Sequence, residues 1–192
     1  MTAPVQILLI SGSAREPSYT RTLTKVVQQV LIERGAETVH WDLRQSPLPI
    51  ADPSFHEDPS RHTSAKVRRL VAHATASDAF ILASPIYHNS YSGALKNALD
   101  HLAIPQFHHK PVGLISHGGD HSPQAVDHLR IVVRGLLGTA IPTQVCTAVQ
   151  DYSDRAQGYE LVSPAIINRI DRLVTELLVF ARMFRLVRQA VT

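Results

Sequence analysis

Gly12-Ser13-Ala14-Arg15-Glu16-Pro17-Ser18-Tyr19-Thr20 stands between an apolar run, Val5 to Ile10, and a helical repeat that begins near Ser18. A strand that ends in glycine and leads through hydroxyl side chains and one arginine into a helix has the make-up of an anion cradle. The first amides of a helix lack intrahelical partners, and its dipole is positive at that end. Ser13, Ser18 and Thr20 offer hydroxyl donors and Arg15 a charge-assisted one, while Gly12 allows close backbone approach. The same residues also suit an ordinary turn with Ser18 as N-cap. The loop matches neither a Walker A motif nor a GxGxxG fingerprint, so the rest of the chain has to decide.

Val5 to Ile10 reads as a parallel strand covered on both faces, and as the central one. Leu23, Val26, Val27, Val30 and Leu31 then recur at helical spacing, with Gly35 placed to end the helix. Thr38 to Leu43 is a second strand. Residues 44–62, broken by Pro47, Pro49, Pro53 and Pro59, form a long loop of the kind that serves either as a lid or as irregular surface packing. A helix from Thr63 to Thr75 turns Val67, Leu70, Val71 and Ala74 inward. Asp78 to Ser84 is the third strand, followed by a helix with Leu95, Leu99 and Leu102 on one face. Val112 to Ser116 is the fourth, followed by a helix bearing Val126, Leu129, Val133, Leu136 and Leu137. The fifth, Ala140 to Thr147, contains Pro142, which cannot donate to a ladder and predicts a sheet edge. Residues 148–162 read as polar and irregular, and 163–189 as a final helix.

Strands alternating with helices predict an α/β doubly wound parallel sheet with helices on both faces, formed by residues 1–192 as a single domain with a long C-terminal helix. Ligands in such sheets bind beyond the carboxyl ends of the strands, at a switch point. Three polar or glycine-rich loops occupy such ends: 12–20, 85–93 and 116–120. In the second, Pro85 and Tyr87 offer flat or rigid apolar surface, Asn89 and Ser90 offer polar groups, and Gly93 starts a helix, a set that suits a planar heterocycle with polar edges. In the third, Ser116-His117-Gly118-Gly119 presents amides suited to an electron-rich ring edge.

Composition narrows the classes. With 192 residues, 44% hydrophobic and 18% charged, the chain has ample length for a full core. No window supplies the roughly 18 charge-free apolar residues of a membrane span, and no basic-then-apolar leader is present; a cytoplasmic location is expected. The single cysteine, Cys146, excludes an intrachain disulfide and any multi-cysteine metal site. The net charge of +3 lies wholly in residues 163–190, where five arginines (Arg169, Arg172, Arg182, Arg185, Arg188) face Asp171 and Glu176. They alternate with apolar residues and lack interleaved aromatics, which argues against nucleic-acid binding. Eleven histidines invite a metal reading, yet Gly118-Gly119 between His117 and His121 is better explained as a ring-binding loop, and no metal site is expected.

The chain resembles the NADPH-dependent FMN reductase family of the flavodoxin-like superfamily over about residues 5–147. The residues that carry the likeness are Gly12-Ser13-Ala14-Arg15-Glu16-Pro17-Ser18, the run from Ser84-Pro85-Ile86-Tyr87-His88-Asn89-Ser90-Tyr91-Ser92-Gly93 to Asp100, and Gly118-Gly119. The resemblance implies strand order 2-1-3-4-5, with FMN phosphate on Ser13, Arg15, Ser18 and Thr20, Tyr19 as a further cofactor-binding residue, and isoalloxazine against Pro85, Ile86, Tyr87, His88, Asn89 and Ser90. Ser116, Gly118 and Gly119 would border the pyrimidine side, with the Gly118 and Gly119 amides stabilising charge on the reduced ring. Thr20 stands where such loops often have Asn, and His101 where Trp is frequent. The implied activity is hydride transfer from NADPH or NADH to FMN and on to free flavin, a quinone, an azo compound or a similar small-molecule acceptor. The cofactor carries the chemistry, so no catalytic acid-base side chain is assigned.

Two alternatives remain at this point. A flavodoxin-like electron carrier would bind FMN without pyridine-nucleotide turnover, although such carriers are usually strongly acidic and this chain is not. A phosphate-binding module would carry no flavin. The final helix has more apolar positions between Ile166 and Val187 than one core-facing stripe requires, which predicts a homodimer or homotetramer assembled partly through helices.

Overall fold

In a computed structural model, residues 3–191 are described. Strands β1 (Gln6–Ser11), β2 (Glu37–Asp42), β3 (Ala79–Pro85), β4 (Pro111–His117) and β5 (Thr139–Thr147) form one parallel sheet in the order β2-β1-β3-β4-β5. β1 is an interior strand, but the middle position expected for it belongs to β3, whose seven residues are all buried. Both runs are mainly apolar, so composition alone could not rank them. Pro142 does lie on an edge strand, at a bulge where the β4–β5 register shifts.

Strand residues alternate between the two faces, and each face has its own core. Ile7, Leu9, Ile81 and Ala83 meet helix α1 (Tyr19–Glu33) and the last helix on one side. Leu8, Ile10, Phe80 and Leu82 meet helices α2 (Ala65–Ala76), α3 (Gly93–Asp100) and α5 (Gln124–Gly135) on the other. Between α3 and α5, Ile104–Phe107 makes the short helix α4 and buries Phe107 against Phe80. The last helix, α6 (Pro164–Val191), buries Ile170, Leu173, Val174, Leu177 and Ala181. Beyond Ala181 its apolar residues emerge: Met183 and Leu186 are 57% and 68% exposed and align with Val179 and Val187. Three of its arginines work within the chain, Arg185 and Arg188 on Asp78 and Arg169 on the Gln144 carbonyl. No helix is long and apolar enough to cross a membrane among the described residues.

Two loops differ from their sequence reading. Within 148–162, expected to be irregular, β6 (Tyr152–Arg155) and β7 (Gly158–Leu161) pair as an antiparallel hairpin that packs on α1. Its strands of four residues are too short for an alternation signal to register. The loop 44–62 contains two 3-10 turns capped by Asp52 and Asp58. It is tied down at Pro49 and Ala51: Asn97 on α3 donates to the Pro49 carbonyl (2.8 Å) and accepts from the Ala51 amide (2.9 Å). Such anchoring makes it packed surface at that point rather than a free flap.

Candidate functional site

The carboxyl ends of four strands are stitched together by hydrogen bonds. The Gly12 amide donates to the Ala83 carbonyl (2.8 Å), and Ser92 at the start of α3 returns a hydroxyl bond to the Gly12 carbonyl (2.7 Å). A Cβ on Gly12 would lie 2.8 Å from Leu95 Cβ and Ser92 Oγ, so only glycine lets α3 come this close. From β4, the His117 carbonyl accepts from the Ile86 amide (2.9 Å), and the Gly118 amide donates to the Thr147 carbonyl (3.0 Å). The three polar loops singled out from sequence therefore share one end of the sheet.

In the first loop, Ser18 is the N-cap of α1, accepting from the Arg21 amide at 3.2 Å. Ser13 Oγ accepts from the Arg15 amide at 3.3 Å. Both hydroxyls use an acceptor site here, which leaves their O–H groups able to donate outward. Among the described residues, the amides of Ser13, Ala14, Ser18, Tyr19 and Thr20 donate no hydrogen bond. Ser13, Ser18 and Thr20 are buried, whereas Arg15 is exposed and forms no ion pair among the described residues. Unclaimed amides at a helix start, two outward hydroxyls and a free guanidinium are what a phosphate group requires.

In the second loop, Tyr87 and Ser90 exchange backbone bonds at 2.9 and 3.0 Å around His88 and Asn89, both at positive φ (48° and 63°). This is a tight turn of the kind that two left-handed central residues produce. It leaves Tyr87, His88 and Asn89 exposed beside half-buried Ile86 and Ser90, with Pro85 buried beneath them in β3. The Ser90 hydroxyl is held by His128 Nδ1 on α5 at 2.9 Å. In the third loop Ser116 is fully buried, and Gly118 is packed on Ile86. Because Thr147 already takes the Gly118 amide, the donor role expected for both glycines stays open only at Gly119.

Aromatic rings close the site toward the hairpin. Tyr19 stacks between His117 (4.3 Å between ring centres) and Tyr159 of β7 (3.5 Å). His117 Nδ1 meets the Thr147 hydroxyl at 3.1 Å, and the Tyr152 hydroxyl donates to that same oxygen at 3.0 Å. Burial, with the nearby Arg15 charge adding to it and Asp151 opposing it, lowers His117 to about 4. The imidazole is thus neutral at ordinary pH and lends no positive charge to the site. His121 Nε2 pairs instead with Asp151 Oδ2 at 2.7 Å. Among the described residues no group of three His, Cys, Asp or Glu side chains is arranged to hold a metal.

Residues 5–152 match the profile described as NADPH-dependent FMN reductase. The chain belongs to this family. An FMN-dependent NADPH-azoreductase from Staphylococcus saprophyticus is 37% identical over 177 residues, 91% of this chain and 94% of that protein. Among solved structures, an NAD(P)H:(acceptor) oxidoreductase flavoenzyme from Paracoccus denitrificans superposes with a TM-score of 0.74 at 21% identity, covering 94% of this chain and 98% of that one. A flavodoxin from Streptococcus pneumoniae superposes with a TM-score of 0.60 at 14% identity, covering 92% and 99%. These two show the flavodoxin-like fold alone. As an NADPH-dependent FMN reductase family member the chain is an NAD(P)H-dependent flavin oxidoreductase, and FMN and NADPH are its cofactors.

The residues of this family member fit FMN at the sheet end: an anion cradle, a turn with exposed flat side chains, and glycines where a Cβ would intrude. Sequence reasoning missed one part of the site. Arg21, two residues beyond Tyr19 in α1, is 6% exposed and bonds Asp42 at 2.6 Å and Glu16 at 2.5 Å. Two residues before Leu23, Arg21 lies off the apolar stripe of α1, so no local pattern marks it; its burial comes from Asp42, which strand pairing brings beside it.

Proposed function

We propose that the chain, as one domain, holds FMN at this end of the sheet and passes reducing equivalents from NADPH to an azo compound or quinone, small planar acceptors able to meet an exposed flavin ring. The observation that carries the reading is the meeting of an unclaimed-amide loop, residues 13–20, with the turn 87–90 and Gly119 at one sheet end. Ser13, Arg15, Ser18 and the amides of Tyr19 and Thr20 hold the phosphate. Pro85 and Ile86 form the floor under the ring system, Tyr87 and His88 flank the place for nicotinamide or acceptor, and Asn89 and Ser90 fix its position; Ser116, fully buried, and Gly118, packed on Ile86, support that surface and do not contact the ring through a free donor. Bound FMN supplies the hydride-accepting and hydride-donating chemistry. The Gly119 amide, which donates no hydrogen bond among the described residues, would be the one available to stabilise negative charge on a bound ring. Neutral His117 keeps the stack on Tyr19 free of a second cation beside Arg15.

The reading extends to a cytoplasmic protein, since a lone cysteine suits a reducing compartment, and to a homodimer or homotetramer in which the exposed stripe of α6 is covered. Steady-state NADPH oxidation by the FMN-loaded protein across azo dyes, quinones and free flavin tests the acceptor assignment. Fastest turnover with an azo compound or quinone supports it, and activity confined to free flavin overturns it.

A further inference from the structure

We propose that Glu16, Arg21, Asp42 and Arg44 form a charge ladder that positions the phosphate loop from its outer side, an inference that rests on reading loop 13–20 as the FMN phosphate site. The rungs are continuous. Arg21 donates from Nε to Asp42 (2.6 Å) and from Nη1 to Glu16 (2.5 Å). Arg44 Nε pairs with the same Glu16 oxygen (3.3 Å), and its Nη1 donates to the Ala14 carbonyl (2.6 Å). Asp42 closes the ladder by accepting from the Arg44 amide (3.0 Å). Asp42 ends β2 and Arg21 lies in the first turn of α1, so two rigid elements grip the loop between them.

The need for such a grip follows from what the loop withholds. A loop that reserves its amides for a ligand cannot use them to fix its own shape. Among the described residues, backbone bonds hold this one only at its ends, from Gly12 to Ala83 and from Thr22 to Ser18. Between them the grips are the Ala14 carbonyl and the Glu16 carboxylate, both taken by arginines whose planar forks set direction as well as distance. Two cations face two anions, so the ladder adds no net charge: Arg15 attracts the phosphate and the ladder shapes its seat. Ordering the loop in advance removes that cost from binding.

The test uses apoprotein of wild type, Glu16→Gln and Arg44→Gln, titrated with FMN and with riboflavin, alongside melting midpoints without flavin. Side chains 16 and 44 are 57% and 46% exposed, and both variants leave the buried Arg21–Asp42 pair intact, so the fold tolerates them. The expected result is an FMN affinity lowered about tenfold, the scale of one charge-assisted hydrogen bond, with riboflavin affinity unchanged. Equal losses for both flavins, or no loss for FMN, overturn the ladder. If wild type itself fails to prefer FMN over riboflavin, the phosphate assignment falls, and the ladder with it.

Discussion

Gly118 is pressed against Ile86 so closely that a Cβ at position 118 would lie 2.6 Å from the Ile86 Cδ1 and 2.8 Å from its Cβ. The Gly118 backbone is extended, with φ of −171°, so space rather than conformation demands glycine here. Gly118→Ala must displace the loop that carries Tyr87 to Ser90. The expected cost is about 1–3 kcal/mol of stability, the range for overpacking, together with weaker FMN binding. Gly119→Ala meets nothing within 4 Å and serves as the control. Urea unfolding and flavin titration of both variants check this: equal stability of the two would contradict the packing argument.

Arg15 is exposed, forms no ion pair among the described residues, and sits beside a helix start, so its charge is available to a ligand. Arg15→Ala combined with Ser18→Ala is expected to weaken FMN binding by roughly 2–4 kcal/mol. Loss of the Ser18 cap costs about 1 kcal/mol of stability besides. Riboflavin, which lacks the phosphate, reports that second effect alone. Comparable losses for the two flavins would remove phosphate from this loop.

His117 gives the site a pH signature. Its folded value of about 4 lies below the usual 6.5, chiefly because the ring is buried. Between those limits the unfolded chain binds a proton that the folded chain refuses, so stability present above pH 6.5 is lost as the pH falls toward 4. His117→Phe retains a ring against Tyr19 but cannot titrate. Denaturation between pH 4 and 6.5 should therefore show a shallower loss for the variant than for wild type, and parallel curves would rule out His117 as a source of the slope.

The exposed stripe Val179, Met183, Leu186 and Val187 predicts self-association through the second half of α6. Met183→Glu with Leu186→Glu introduces two charges into that stripe without touching the buried side of the helix. Light scattering is expected to give a multiple of 21.2 kDa for wild type and 21.2 kDa for the variant. A monomeric wild type would dismiss the interface.

The parts of this molecule that were legible in sequence are those with a period or a terminus. Val5 to Ile10 and the stripe Leu23, Val27 and Leu31 announced β1 and α1, and the Ser18 cap and Pro142 edge were read from one residue each. The three loops were legible because each follows an apolar run. What stayed hidden depends on contacts between distant residues. Arg21 looks like any helix arginine until Asp42 is brought beside it by strand pairing. Tyr159 belongs to a strand of four residues whose place over Tyr19 no local pattern encodes. In sequence the Gly118 amide reads as a free donor, because the Thr147 carbonyl that claims it arrives only with β5.

The bulged edge at Pro142 has a consequence for how the protein behaves when crowded. An open strand end is a template for another chain, and natural sheets blunt it. Here Pro142 offers no donor, the Thr143 amide is taken by Glu176, and Arg130 and Arg169 cover the carbonyls of Ile141, Pro142 and Gln144. The bulged stretch 141–144 therefore offers another sheet no free ladder, and copies of the chain that meet at this part of the edge cannot extend it.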